Sequence, residues 1–411
     1  MRERTRRQMP NIGELLALLR RKPGADTRRE RSLARAANVE DLRLRGRRRT
    51  PRAAFDYVDG AAEDELSLSR SRQLYRDIEF IPNVLRDVSG CDPSTDILGA
   101  KAAFPFGFAP TGFTRMMHHE GERAVATVAA ECAIPYALST LGTTTPEALV
   151  QTVPGGDHWF QLYVWKDRRR SEALIDRVAA CGFRTLILTV DLPVAGARLR
   201  DVRNGMTIPP NLTLRSIVDA GLHPTWWFNF LTTEPLAFAT LESMNRAGAT
   251  LVEMTSQLFD ASLDFTDLAW LRSKWEGPIV VKGVQNVADA RRCVDAGASG
   301  IILSNHGGRQ LDRSPTPLRL VQPTVSELAG DAEVFVDGGI MNGGDIVAAV
   351  ALGATAAFVG RAYLYGLMAG GEAGVRRAAQ ILTDDIVRTM KLLGVTSVSD
   401  LTPDHVRLPL R

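Results

Sequence analysis

Between residues 104 and 365, eight short apolar runs recur, separated by stretches of helical periodicity. The runs are Phe106–Pro110, Tyr136–Thr140, Trp159–Val164, Thr185–Asp191, Ile279–Val284, Gly300–Asn305, Glu333–Asp337 and Ala356–Gly360. They are near-continuous rather than alternating, which is how strands buried on both faces read. Helical stretches such as Glu122–Cys132, Arg169–Cys181, Val287–Ala296 and Gly344–Leu352 lie between them. Eight strand–helix units in roughly 260 residues match a closed (β/α)8 TIM barrel in count and length. An open, doubly wound sheet is the competing architecture, but eight evenly repeated units favour closure. The stretch Leu199–Leu268 predicts a long insertion after strand four.

The formal net charge of +3 hides an asymmetry. Residues 1–52 hold 17 basic residues against 6 acidic ones, while the remainder holds 33 against 41. A basic, Arg-rich N-terminal extension (1–52), with a helix expected over Asp41–Arg49, therefore precedes a mildly acidic body (53–411). Such a tail suits an anionic partner, a membrane surface or nucleic acid. No recognition motif accompanies the arginines, so nucleic acid is not expected. The four cysteines are far apart, with no C-x-x-C pair, which argues against a disulfide framework or a metal site and for a reducing cytoplasm. The run Leu15–Leu19 is too short for a signal peptide, and Ile346–Gly360 is too short to span a bilayer.

In a barrel of this kind the chemistry gathers at the C-terminal ends of the strands. Those ends carry Pro110-Thr111-Gly112, Ser139, Gln161 and Tyr163, Thr189 and Asp191, Lys282, Ser304 with His306 and Arg309, Asp337-Gly338-Gly339, and Gly360-Arg361. A purely structural barrel has no need of polar groups at every rim position. The glycine turns after strands seven and eight, with Arg361, read as a phosphate cradle, although glycines also make plain tight turns. His306 is placed as a general base, and Asp191 could hold the imidazolium that results. Lys282 ends an apolar strand and needs an anionic neighbour or ligand; a Schiff-base lysine is the alternative. His118 and His119 read as loop or surface residues.

The segment Ser304-Asn-His-Gly-Gly-Arg-Gln-Leu-Asp312 resembles the signature of the FMN-dependent L-2-hydroxy-acid dehydrogenases and oxidases. Phe55-Asp-Tyr-Val-Asp-Gly60, Phe160-Gln-Leu-Tyr163, Thr189-Val-Asp191 and Lys282-Gly-Val284 extend the likeness from about Phe55 to Val406. Within that family, Pro193–Met206 and Gly360–Gly366 resemble the actinobacterial L-lactate dehydrogenases. The resemblance implies His306 as base with Asp191 as partner, and Arg198 and Arg309 on the substrate carboxylate. It puts Tyr57 and Tyr163 on the carboxylate or hydroxyl, and Lys282 against flavin N1/O2. Pro110–Gly112, Ser139, Gln161 and Thr189 would line the flavin ring. Ser304, Asp337–Gly339, Gly360 and Arg361 would hold the ribityl-phosphate end. It further implies a homotetramer.

Some positions depart from the family pattern. Met341 and Asn342 stand where an arginine often helps to bind the phosphate. Leu141 replaces a tryptophan common in glycolate oxidases, which suits lactate better, while Gly112 opens space for an aryl group. No histidine precedes His118 and no dinucleotide fingerprint is seen, so the acceptor is expected outside the chain: a quinone, a cytochrome or oxygen. The tail and Trp226–Leu231 would dock the enzyme peripherally on the cytoplasmic face of a membrane; the alternative is that these aromatics pack on the barrel. An oxygen-using oxidase and a mandelate-type dehydrogenase are the nearer alternatives. A nucleotide-dehydrogenase barrel would need a cysteine after strand six, and a degenerate barrel serving only as a binding module would not keep this set of residues.

Overall fold

The computed structural model describes residues 28–205, 218–219, 221–234 and 260–409. The first half of the basic extension and most of the expected insertion lie outside the described residues. Eight strands form one closed, all-parallel barrel: β1 (Phe106–Phe108), β2 (Tyr136–Ser139), β3 (His158–Leu162), β4 (Thr185–Thr189), β5 (Ile279–Val284), β6 (Gly300–Leu303), β7 (Glu333–Asp337) and β8 (Ala356–Val359). β8 closes on β1 through the pairs Ala357↔Phe106, Phe358↔Gly107 and Val359↔Phe108. β5 and β7 have the bounds expected from the sequence; several others end one to two residues sooner. Their last polar residues leave the ladder and form the rim.

Every strand residue but Glu333 is buried, as continuous apolar runs require. One set of side chains packs outward against the helices. The other fills the barrel, where Trp159 meets Phe335 and Phe358 at centroid distances of 6.0 and 5.2 Å. An antiparallel hairpin, Thr95–Ile97 with Ala100–Ala102, inserts Ile97 into this interior cluster. Arg184 ties it down by donating to the Leu98 carbonyl at 2.9 Å. With that end plugged, the C-terminal mouth is left for a ligand.

Three N-terminal helices, α1 (Val39–Arg49), α2 (Arg52–Asp59) and α3 (Leu66–Asp77), pack beside the barrel. α1 starts where the Asn38 side chain accepts from Asp41 N at 2.8 Å, and Glu40 and Asp41 lie in its first turn and Arg47, Arg48 and Arg49 in its last, complementing the helix dipole. It buries Val39 and Leu42 against the long C-terminal helix. Further on come α4 (Pro224–Thr232), α5 (Gly343–Ala351) and α6 (Arg361–Leu393), the last broken at Gly370–Gly371.

Candidate active site

The open mouth holds a cavity of about 370 Å³. Of the residues singled out from sequence, Tyr57, Pro110, Thr111, Gly112, Ser139, Gln161, Tyr163, Thr189, Arg198, Lys282, His306, Arg309, Asp337, Gly338, Gly339, Gly360 and Arg361 line it. Asp191 and Ser304 do not; each stands behind a lining side chain and is bonded to it.

His306 follows β6 with a left-handed φ of 56°, a strained conformation for a side-chain-bearing residue. Its Nδ1 lies 3.0 and 3.2 Å from the two Asp191 oxygens, so Nε2 is left for the cavity. Asp191 has room because β5 bulges at Gly283, where a Cβ would stand 2.6 Å from the Asp191 carboxyl carbon. Burial pushes the imidazole below its ordinary range, and Asp191 opposes that only in part. Burial alone would raise Asp191; facing His306 and Lys282 it is nevertheless held below the usual carboxylate range. Near neutral pH the pair is therefore a neutral imidazole backed by a carboxylate.

Across the cavity, the Arg309 guanidinium lies 4.8 Å from the Tyr57 ring centroid and that of Arg198 lies 6.0 Å from it. Arg309 donates to the carbonyls of Tyr57 and Gly60. Burial, and then the charge of Arg198, lower the Arg309 pKa. Arg198 Nε is buried without a hydrogen-bond partner among the described residues. Asp201, which the sequence reading passed over, also lines the cavity; burial raises its pKa and the two arginines oppose the rise. Burial raises Tyr163, so its phenol stays a donor.

The floor is polar. Lys282 Nζ is 3.1 Å from Asp337 Oδ2 and donates to Ser304 Oγ at 3.0 Å. Burial lowers the lysine, but Asp337 and Asp191 together raise it above its ordinary value, so it stays charged. Gln161 Oε1 accepts from Ser139 Oγ at 3.0 Å and Thr140 N at 3.2 Å, which points the amide nitrogen elsewhere. That nitrogen, Thr189 Oγ1 and Asp337 Oδ1 are buried with no partner among the described residues. Arg361 donates to the carbonyls of Val58, Gly307 and Gly60 at 2.8, 2.8 and 2.7 Å. Three of its five N–H donors are thereby used.

Arg72 and Phe113 also line the cavity and were not expected. Both come from segments without a motif. The space that Gly112 was expected to open is taken by Leu141, whose Cβ lies 2.9 Å from where a Cβ on residue 112 would stand. His118 and His119 are half-buried rather than exposed, their rings 4.4 Å apart. On α4, Trp226 packs on the body and donates to the Met116 carbonyl at 3.0 Å, while Phe228 and Leu231 are 68% and 72% exposed.

A barrel whose mouth combines a histidine–carboxylate pair, two free-facing arginines and a glycine-and-arginine turn belongs to a defined class: the chain is a member of the FMN-dependent dehydrogenase family, which it matches over residues 46–408. It is 58% identical over 401 residues to a Mycobacterium tuberculosis protein described as "Putative L-lactate dehydrogenase", covering 97% of this chain and 96% of that one. It is 39% identical to an L-lactate dehydrogenase of Caulobacter vibrioides, covering 89% and 96%. Among solved structures it resembles that of a "monotopic membrane protein (S)-mandelate dehydrogenase", with a TM-score of 0.87, 36% identity and coverage of 91% and 100%. The family's cofactor is FMN, and the cavity fits it. The unpartnered Gln161 and Thr189 atoms suit the polar edge of a flavin ring, Asp337 Oδ1 suits a ribityl hydroxyl, and Arg361 with its glycine turns suits a phosphate.

Proposed function

We propose that the enzyme oxidises L-lactate to pyruvate, and related L-2-hydroxy acids more slowly, passing two electrons to an acceptor outside the chain. The observation that carries this reading is the His306–Asp191 pair facing Arg198 and Arg309 across one cavity. Arg198 and Arg309 hold the substrate carboxylate by charge-assisted bonds, relieving two buried like charges. Tyr57 and Tyr163 donate to the carboxylate or hydroxyl. His306 Nε2 takes a proton from the H–C–O–H unit being oxidised, and Asp191 stabilises the imidazolium. When bound, FMN would supply the two-electron oxidant and take up the second hydrogen of that unit. Lys282 would face its N1/O2 edge, and Pro110, Thr111, Gly112, Ser139, Gln161 and Thr189 would line its ring. Ser304, Asp337, Gly338, Gly339, Gly360 and Arg361 would hold its ribityl-phosphate end. Leu141, filling the space beside Gly112, supports a small substrate side chain.

The test is anaerobic bleaching of the bound flavin by a panel of L-2-hydroxy acids. Fastest reduction by L-lactate is expected; reduction by mandelate or glycolate at a higher kcat/KM overturns the lactate assignment. Rapid turnover with oxygen alone, yielding peroxide, overturns the external quinone or cytochrome as acceptor.

The same proposal places the enzyme peripherally on the cytoplasmic face of a membrane. The outward Phe228 and Leu231, the basic N-terminal extension and the membrane-associated relative support this. Among the described residues no helix is long and apolar enough to cross a bilayer. Co-sedimentation with anionic but not zwitterionic vesicles is expected, and its absence refutes docking. The homotetramer implied by family resemblance falls if light scattering gives a monomer's mass.

A further inference from the structure

Arg72 is the one arginine of α3 that lines the cavity. Its position follows from a backbone contact. Gly339, with φ of 88°, lies so close to α3 that a Cβ there would stand 2.9 Å from the main-chain carbonyl of Ser71. Asn305 Nδ2, reaching from the loop after β6, donates to Ser71 Oγ at 3.3 Å. The next residue, Arg72, therefore flanks the turn after β7. It shares the cavity wall with Gly339, Met341, Gly360 and Arg361. Its Nη2 donates to Tyr365 Oη at 3.1 Å, and that hydroxyl donates to Asp59 at 2.8 Å. Among the described residues no carboxylate lies within 4.0 Å of the Arg72 guanidinium.

Two guanidinium groups thus meet at one end of the cavity with no carboxylate paired to either. Arg361 spends three donors on carbonyls, which satisfy its N–H groups without neutralising its charge. Its pKa is lowered chiefly by burial and further by the charge of Arg72, with Tyr365, Asp59 and Glu65 opposing in part. Like charges held together in this way call for an anion between them.

We propose that Arg72 and Arg361 together grip the FMN phosphate, Arg72 supplying the second guanidinium that this chain lacks at Met341. The inference rests on the reading that places the phosphate beside the turns after β7 and β8. It explains how a site with methionine at position 341 can hold a dianionic group.

The experiment compares two flavins that differ only in the phosphate. Apoprotein is titrated with FMN and with riboflavin, and binding is read by quenching of flavin fluorescence. For R72M the FMN dissociation constant should rise about ten- to hundredfold, as for loss of a charge-assisted bond, with riboflavin unchanged. R72K should fall between, because it keeps the charge and loses the fork. M341R should restore FMN affinity in the R72M background. Unchanged FMN binding in R72M overturns the proposal, and so does equal loss of FMN and riboflavin, which would mark a structural role. If R72M does not fold by circular dichroism, R72K decides by the same criteria. R361M separates the two readings. If it abolishes the preference for FMN over riboflavin while R72M does not, Arg72 is excluded and the phosphate placement stands. If neither variant changes the preference, the placement itself fails.

Discussion

Replacing Asp191 by asparagine removes one charge from a buried pair and little volume. The carboxylate oxygens lie 3.0 and 3.2 Å from His306 Nδ1, and the Asp191 side chain is 2% exposed. When His306 gains a proton, its positive charge sits about 4 Å from the carboxylate, worth about 4 kcal/mol at an effective dielectric constant of about 20. That energy is available only after proton transfer, so it lowers the barrier to the step that His306 performs. Its loss corresponds to a roughly thousandfold slower step. Stopped-flow reduction of the flavin by L-lactate without oxygen isolates this step from reoxidation. D191N should bind FMN normally and lose roughly three orders of magnitude in limiting rate, while the apparent affinity for lactate, held by Arg198 and Arg309, changes little. The pH profile carries a second sign. The carboxylate favours imidazolium, so removing it lowers the His306 pKa further, and the acidic limb of the rate profile should move to lower pH. A limiting rate within tenfold of wild type, or a limb that stays in place, refutes Asp191 as the electrostatic partner.

Three more outcomes follow from the same geometry. R309M should raise the lactate dissociation constant about ten- to hundredfold, through lost charge-assisted bonds, and should affect pyruvate inhibition in parallel; unchanged binding by both places the carboxylate elsewhere. K282M strands the Asp337 carboxylate in the barrel floor, so the apoprotein should lose about 3–5 kcal/mol in denaturant unfolding; the double variant with Asp337→Asn should recover much of it, and additive losses would show that the 3.1 Å contact is not a coupled pair. Asp345, pushed up to about 6 chiefly by burial despite accepting from the Met341 and Asn342 amides, binds its proton more tightly folded than unfolded. Its contribution is thus fully present at low pH and lost as pH rises towards 6, so wild type should lose stability relative to D345N across that range, and parallel stability–pH curves would show that the carboxyl does not titrate there.

The barrel was legible because its evidence is local and repeated. Each strand is a short run of residues buried on both faces, and eight such runs leave few alternatives. The rim residues were legible for a related reason. Gln161 and Lys282 sit within otherwise apolar strands and His306 just after one, where no packing need explains them. What the sequence hid is non-local. Arg72 sits on an N-terminal helix whose pattern resembles any half-buried helix, and only the Ser71–Gly339 contact, 268 residues apart in the chain, brings it to the cavity. The pairing of Lys282 with Asp337 spans two strands that are not adjacent in the barrel, and so leaves no mark in either segment. Gly112 misled because a glycine was read as empty space, when the volume beside it belongs to Leu141.

These placements explain why the charge of the body and that of its site have opposite sense. The body beyond residue 52 is acidic, yet the cavity wall carries Arg72, Arg198, Lys282, Arg309 and Arg361 against only Asp201 and Asp337. Lys282 and Asp337 cancel as a pair, leaving two arginine pairs in surplus over Asp201: Arg198 with Arg309, and Arg72 with Arg361. A phosphate monoester carries about two negative charges at neutral pH, and a 2-hydroxy acid carries one. The surpluses are only partly offset by nearby carboxylates, so each is a cost to the empty protein that its own anion removes. Cofactor and substrate are then recognised by the same physics within one cavity, which the neutral histidine also lines. On that argument, FMN should raise the melting temperature more than riboflavin does. A 2-hydroxy acid analogue lacking the carboxylate should fail to bind even where its hydroxyl and side chain fit.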